Sequence, residues 1–270
     1  MPVKTEWIRY GEHLGYLARP DRAAGPLPAV IVIQEIWGVD VHIEDVTRRI
    51  AAAGYAALAP DLFAADGVRP PALSAERIAV LQAFMSALPP GAWANPAVFD
   101  AELAKQPEPG RTQIGETRKT LFSNLERRER FVAPLTAAAQ HLRRERDLAQ
   151  AQKVACVGFC MGGGLSALLA CENPELAGAA VYYGASPPAE QIPRIACPIV
   201  GFYGGLDERV NSGVPAFAEA MRAAGKSFEY WTYEGALHGF FNDTRPSYNV
   251  KAARDSFARF LEFLRRTIGT

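Results

Sequence analysis

The sequence has no excess charge of either sign and no long hydrophobic run. Lys and Arg together number 29, and so do Asp and Glu, which gives a formal net charge of +0 at pH 7. No overall field therefore attracts nucleic acid or an anionic membrane surface. No segment approaches the length of a membrane span, and the first twenty residues lack the apolar core of a signal peptide. We therefore expect a cytoplasmic protein that binds a small molecule, and neither nucleic acid nor membrane.

Cysteine and histidine are also scarce, with four of each in 270 residues. In the cytoplasm the four cysteines are expected as thiols rather than disulfides. Cys156 and Cys160 lie in a strand and the turn after it, where their sulfurs would not converge, and no Cys/His pair follows at ligand spacing. The sequence predicts no metal site and implies no organic cofactor. It leaves the oligomeric state open, as a monomer or a small homo-oligomer.

What the sequence does contain is an alternation of short apolar runs and helical patterns. The runs are apolar throughout, as in strands of a parallel sheet that is covered on both faces. Strands alternating with helices predict an α/β fold, with a mostly parallel, doubly wound sheet and helices on both of its faces. An antiparallel hairpin is predicted at the sheet edge, from two runs near the N-terminus. The six clearest strands are predicted at Ala29–Glu35, Ala56–Phe63, Lys153–Phe159, Gly178–Gly184, Pro198–Gly204 and Phe228–Glu234.

One connection is much longer than the others. Roughly ninety residues separate Phe63 from Lys153, several times the length of a normal crossover. Helices are predicted at Ser74–Leu88 and Leu125–Asp147, while the stretch between them is rich in Pro, Gly and polar residues. We expect one α/β domain over residues 1–270, with an insertion at about 64–130. The insertion is either a lid over a site or a surface addition without a role in binding.

The segment Gly158-Phe159-Cys160-Met161-Gly162 follows a predicted strand and precedes an Ala/Leu-rich helix. It fits the G-x-nucleophile-x-G pattern, in which the nucleophile lies on a sharp strand-to-helix turn, close to the helix N-terminus. Taken alone, the motif favours the simpler explanation, in which two glycines permit a tight turn around a packed cysteine. It does not fit the G-x-G-x-x-G dinucleotide pattern.

The order of two later residues favours the nucleophile interpretation. Asp207 follows the predicted strand at Pro198–Gly204, and His238 follows the last strand. Nucleophile, acid and histidine, each after the carboxyl end of a strand, is the chain order of an α/β-hydrolase triad. The other histidines lie in a hairpin or in helical stretches.

With these residues assembled, the chain resembles the dienelactone hydrolase (carboxymethylenebutenolidase) family of the α/β-hydrolase superfamily. The segments that carry the resemblance are VIVIQEIWGV, GYAALAPDLF, VGFCMGG, YYG, GGLDERV and YEGALHGFFND. The resemblance implies a Cys160–Asp207–His238 triad that hydrolyses a small ester or lactone. It also implies that Glu35 pairs with the cysteine and helps to generate the thiolate, whereas the simpler alternative is a hydrogen-bonded loop carboxylate. The oxyanion hole would be formed by the backbone N–H groups of Ile36 and Met161.

The sequence departs from the family where arginines hold a substrate carboxylate. The corresponding positions are Ala65 and Asn242, and Arg69 and Arg245 lie a few residues further on. Because a carboxylate clamp depends on placement, the sequence does not favour dienelactone itself over a different small ester or lactone. Besides these two arginines, the candidates for substrate contact are aromatic residues that could equally belong to the core: Trp37, Phe63, Phe159 and Tyr183.

Two other functions remain open from the sequence. A thioesterase or acyltransferase could use the same residues on a longer substrate. A non-catalytic interaction module could retain the scaffold and use its arginine-rich helices as a contact surface, although glutamates interleaved with the arginines favour a solvated helix face.

Overall fold

The structure is a computed structural model that describes residues 2–22, 25–89, 95–144 and 153–269. The chain divides into two compact units. The first comprises residues 1–62 and 128–270, and the second comprises Phe63–Arg127.

The first unit is built on an eight-stranded sheet in the order β1-β2-β4-β3-β5-β6-β7-β8. The two pairings that involve β2 are antiparallel, and the other strands pair in parallel. The prediction of a mostly parallel sheet with a hairpin at its edge is therefore confirmed. The strands are β1 (Val3–Tyr10), β2 (His13–Pro20), β3 (Ala29–Ile33), β4 (Ala56–Pro60), β5 (Val154–Phe159), β6 (Gly178–Tyr182), β7 (Ile199–Gly204) and β8 (Phe228–Tyr233).

Helices follow most of the parallel strands. In the first unit they are α1 (Val41–Ala52), α5 (Val132–Arg144), α6 (Met161–Glu172), α7 (Glu208–Asn211), α8 (Val214–Ala223) and α9 (Val250–Thr267). In the second unit they are α2 (Ala75–Ala87), α3 (Pro96–Ala104) and α4 (Gly110–Glu126). In the described parts of the chain, none of the helices combines the length and the apolar character needed to span a bilayer.

Strands β3 to β7 are buried along their whole length, because helices cover both faces of the sheet. Val30 and Val32 share one core with Ile43 of α1 and Phe260 of α9. Successive side chains of a strand point to opposite faces, so Ile31 faces the other side, where α5 and α6 contact the sheet. This double burial explains why the strand sequences are apolar throughout rather than alternating.

Two glycines allow α6 to begin directly against the sheet. A Cβ atom added at Gly158 would lie 1.9 Å from the carbonyl oxygen of Gly162. One added at Gly162 would lie 2.4 Å from the carbonyl oxygen of Ile33. Backbone atoms cannot move aside as a flexible side chain can, so side chains are excluded at both positions.

The second unit differs from the sequence prediction. The predicted helix at Ser74–Leu88 is confirmed as α2, but no helix was predicted in residues 89–117, where α3 lies and α4 begins. The Asn95 side chain caps α3 and Pro96 occupies its first turn, so the helix has a regular start signal within a Pro-rich stretch. The predicted helix at Leu125–Asp147 is wrong in its first part, because α4 ends at Glu126 and α5 begins at Val132.

The second unit has its own side-chain contacts. Arg77 of α2 donates to the hydroxyl of Thr117 at 3.2 Å, and the guanidinium of Arg118 lies 4.0 Å from the ring centroid of Phe99. Residues 90–94 of the predicted insertion and residues 145–147 of the predicted helix lie outside the described residues. A lid function for the insertion stays a prediction.

The strand-to-helix turn makes a testable prediction about stability. Gly158→Ala should lower the free energy of unfolding by about 3 kcal/mol or more, because its methyl group overlaps the backbone of Gly162. Gly164→Ala, in the same helix, should be nearly neutral or stabilising. Its methyl group would lie 3.4 Å from the nearest atom, and Ala favours the helix over Gly. Urea unfolding of both variants measures the difference, and equal stabilities would contradict the packing argument.

Candidate active site

The register of the parallel strands brings three candidate residues together at the carboxyl edge of the sheet. Ile33 of β3 pairs with Gly158 of β5, and Phe159 pairs with Tyr182 of β6. Continuing the same register beyond the strand ends places Glu35, Cys160 and Tyr183 side by side. The site therefore begins as a row of residues just beyond the ends of adjacent strands.

Cys160 occupies the turn between β5 and α6 in a left-handed backbone conformation. Its φ is 55° and its ψ is −113°. Such a conformation costs a non-glycine residue about 1–3 kcal/mol and persists only where the surroundings impose it. Here the Cys160 N–H donates to the Tyr182 carbonyl at 3.0 Å, and the Cys160 carbonyl accepts the Gly163 N–H at 3.0 Å. The side chain is half-buried, whereas the three other cysteines are buried.

Asp207 and His238 lie on two loops that are joined by their backbones. Nδ1 of His238 lies 2.5 Å from Oδ2 of Asp207, which is itself buried. The Leu206 N–H donates to the Ala236 carbonyl at 2.9 Å, one residue before Asp207 and two before His238. Because Asp207 occupies Nδ1, the other ring nitrogen of His238 is left for Cys160.

His238 holds a proton more tightly than an ordinary histidine. Burial alone would lower its pKa, because burial disfavours the charged ring. Hydrogen bonds to Asp207 and Cys160, with the negative charge of both groups, outweigh burial and raise the pKa to about 10. At neutral pH the ring is therefore an imidazolium between two groups that carry or accept negative charge.

Glu35 is buried, and both of its carboxyl oxygens accept hydrogen bonds. The hydroxyl of Tyr183 donates to Oε1 at 3.2 Å, and Nδ2 of Asn242 donates to Oε2 at 2.9 Å. Tyr183 is fully buried with a φ of 39°, and its ring meets that of His238 edge-on at a centroid distance of 5.1 Å. Desolvation by burial, together with the charges of Glu35 and Cys160, raises the pKa of Tyr183 well above its usual range, so the phenol stays a donor.

The two backbone N–H groups that we expect to form an oxyanion hole have no other hydrogen-bond acceptor among the described residues. Met161 is the first residue of α6, so its N–H has no acceptor within the helix. Among the described residues no acceptor is found for the N–H of Ile36. Ile36 directly follows Glu35, and Met161 directly follows Cys160, so both N–H groups lie next to residues at the carboxyl edge of the sheet.

The aromatic and arginine candidates have different surroundings. Trp37 is half-buried, and the guanidinium of Arg245 lies 5.1 Å from its ring centroid, so these two residues come together. Phe159 is 1% exposed within the aromatic core, so the core alternative describes it better than a pocket wall. Phe63 and Arg69 belong to the second unit, in which Phe63 is buried and Arg69 is half-buried, and Ala65 forms a tight bridge with Val68 there.

The sequence reasoning missed the contacts of Asn242 and Tyr183. The sequence identifies Asn242 only as a position without arginine and Tyr183 only as a possible pocket wall, yet both donate to Glu35. The available signal was an amide directly after two phenylalanines, since a buried amide requires a partner. Within the described residues, no three His, Cys, Asp or Glu side chains converge as metal ligands would.

Comparison with known proteins places the chain in a family. The model of the dienelactone hydrolase family matches residues 14–268. The chain belongs to the dienelactone hydrolase family. A protein of Saccharolobus solfataricus, provisionally named carboxymethylenebutenolidase, is 35% identical over 252 residues, which are 93% of each chain. A protein of Escherichia coli K12 with the same provisional name is 31% identical over 93% of this chain and 81% of its own.

Solved structures agree with this placement in the dienelactone hydrolase family. A protein of Klebsiella pneumoniae, provisionally named dienelactone hydrolase, is 28% identical, with a TM-score of 0.70 over 98% of this chain and 100% of its own. A dienelactone hydrolase from Anabaena variabilis shares the fold at 17% identity and a TM-score of 0.59, over 99% of this chain and 98% of its own. The fold is that of the α/β-hydrolases, and the protein is a hydrolase of the carboxylic ester and lactone class.

The raised pKa of His238 can be tested directly. In the folded protein the ring should titrate near pH 10 rather than near the ordinary 6.5. The folded state holds the His238 proton more tightly than the unfolded state does. The contribution of this proton to the free energy of unfolding is therefore complete below about pH 6.5 and is lost as the pH rises through about 10. Asp207→Asn replaces a charged acceptor by a neutral one and removes the negative charge, and should move the midpoint down.

Histidine side-chain NMR over this pH range measures both midpoints, with His238→Gln to assign the signal. Cys160→Ala should also lower the midpoint, since Cys160 contributes to the shift. A midpoint below about 7 in the unmodified protein would contradict the described contacts.

Proposed function

We propose that Cys160, His238 and Asp207 form a catalytic triad that hydrolyses a small ester or lactone. The observation that carries the proposal is the Asp207–His238 pair at the carboxyl edge of the sheet, close enough to Cys160 for that residue to help raise the pKa of His238. A nucleophile, a proton carrier and an orienting carboxylate are thus within reach of one another. Membership in the dienelactone hydrolase family supports the class of reaction.

The first half of the reaction forms a thioester. The Cys160 thiolate attacks the carbonyl carbon, and the electron pair of the C=O bond moves to the oxygen. The Ile36 and Met161 amides donate to this oxyanion, an interaction that typically lowers the barrier by about 3–4 kcal/mol per donor. The tetrahedral intermediate collapses when the C–O bond to the leaving group breaks, and His238 gives its proton to the departing oxygen.

The second half restores the enzyme. The now neutral His238 removes a proton from water, and the resulting hydroxide attacks the thioester carbon. The C–S bond breaks, the acid leaves, and the thiolate and imidazolium are regenerated together. The raised pKa of His238 suits this cycle, because it keeps the acid form ready at neutral pH.

Glu35 acts on the nucleophile rather than on the substrate in this proposal. Glu35 lies two residues after the end of β3, the strand next to β5, and two donors that carry no charge hold its carboxylate there. By family resemblance it assists formation of the thiolate. The guanidinium of Arg245 is held over the ring of Trp37, two residues after Glu35, and is our candidate for a contact to a polar substrate group.

Cys160→Ala tests the triad. With 4-nitrophenyl acetate and a panel of unsubstituted and carboxylated lactones, the variant should lose at least about a thousandfold in kcat/KM, as expected when a triad member is removed. Cys171→Ala is the matched control, since it removes a buried thiol from α6. Its turnover should equal that of the unmodified protein. Equal turnover by Cys160→Ala would refute the nucleophile assignment, and the panel identifies the acyl and leaving groups.

A further inference from the structure

Asn242 is a fully buried side chain whose hydrogen bonds leave it a single orientation. Its Oδ1 accepts from the N–H of Thr244 at 3.0 Å and from the Thr244 hydroxyl at 2.7 Å. Its Nδ2 donates to Oε2 of Glu35 at 2.9 Å. If the amide were reversed, its oxygen would face a carboxylate and its NH₂ would face an N–H, so both contacts would become repulsive.

The bond between Asn242 and Glu35 connects two loops that carry proposed site residues. Asn242 lies four residues after His238, in a loop held by backbone turns that include Asn242 N–H to Gly239 carbonyl at 3.0 Å. Glu35 directly precedes Ile36, whose amide is a proposed oxyanion donor. The two partners are 207 residues apart in sequence, so their contact closes a long stretch of chain at the site.

Glu35 meets no cation in this network, since both of its donors are uncharged. The phenol of Tyr183 and the amide of Asn242 fill one carboxyl oxygen each. Hydrogen bonds to a charged acceptor are worth more than those between neutral groups, and leaving such an acceptor unpaired in a buried site is costly. Without Asn242, Oε1 of Glu35 would still accept from Tyr183, but Oε2 would lose its donor.

We propose that Asn242, with its amide directed by Thr244, is a positioning residue that fixes the Glu35 carboxylate beside Cys160. The proposal rests on the proposed function, because it assigns Asn242 a role in the same reaction. Asn242 does not touch the substrate, and it acts through Glu35. Its loss should therefore lower kcat and leave KM nearly unchanged.

A double-mutant cycle tests whether Asn242 acts through Glu35. Asn242→Leu should lower kcat/KM for 4-nitrophenyl acetate about ten- to a hundredfold, with KM changed less than about threefold. In a Glu35→Ala background the same substitution should cause no further loss. Ser247→Ala is the matched control, because it removes a 3.3 Å side-chain bond to Gly239 in the same loop without contacting Glu35. It should retain full activity.

A second readout needs no hydrolysis. This readout is the rate constant for alkylation of Cys160 by iodoacetamide. Relative to the unmodified protein, it should change by one common factor in Asn242→Leu, in Glu35→Ala and in the double variant. If the unmodified protein cleaves no ester or lactone but the alkylation cycle behaves in this way, the proposed function fails and the positioning role stands. If Asn242→Leu adds its full effect to Glu35→Ala in both readouts, Asn242 is merely structural and the proposal is overturned.

Asn242→Asp keeps the size of the side chain and its acceptor for Thr244, and serves if Asn242→Leu does not fold. The introduced carboxyl can donate to Glu35 only while it is protonated, and two adjacent carboxylates share a proton up to a raised pH. The kcat/KM of this variant should therefore fall as the pH rises and the shared proton is lost, in addition to any pH dependence of the unmodified protein. A folded Asn242→Asp variant with an unchanged pH profile would overturn the proposal.

Discussion

The close approach of α6 to the sheet is the constraint on which the rest of the site depends. The first turn of α6 lies against the carbonyl groups that end β3, with only hydrogen atoms at Gly158 and Gly162 between the backbones. This contact forces Cys160 into its left-handed conformation and directs the following N–H groups along the carboxyl edge of the sheet. The position of the sulfur and the position of the Met161 amide thus have a common cause. Any side chain that separates helix from sheet would displace both.

The charges at the site affect His238 and Glu35 in different ways. Asp207 and Cys160 bring negative charge to His238, and the proton that would leave an ordinary histidine near neutral pH stays on this one. Glu35 contributes a further carboxylate nearby, held by donors that add no positive charge. Glu35 is thus held by uncharged donors, whereas the protonated ring of His238 lies between Asp207 and Cys160.

The sequence predicts the features that arise from local patterns. Wholly apolar runs such as Ala29–Ile33 are buried on both faces, so they identify the parallel strands. The order of Cys160, Asp207 and His238 can be recognised in the sequence because each residue follows a predicted strand. In contrast, α3 was missed because the Pro and Gly content of its surroundings outweighed the capping pattern of Asn95 and Pro96. The contact of Asn242 with Glu35 could not be predicted either, because it joins distant parts of the chain and depends on the packing between them.

The backbone bond between Leu206 and Ala236 has a mechanical consequence. It fastens the Asp207 loop to the His238 loop, and the backbones are so close that a Cβ atom at Gly204 would lie 2.6 Å from the Leu237 carbonyl. Because this bond holds the two loops together, we expect them to move together and to keep the spacing between the Asp207 carboxylate and the His238 imidazole. The bond does not involve Cys160, which lies on the turn between β5 and α6. A change in the distance between the His238 ring and the Cys160 sulfur therefore leaves the spacing between the Asp207 carboxylate and the imidazole intact.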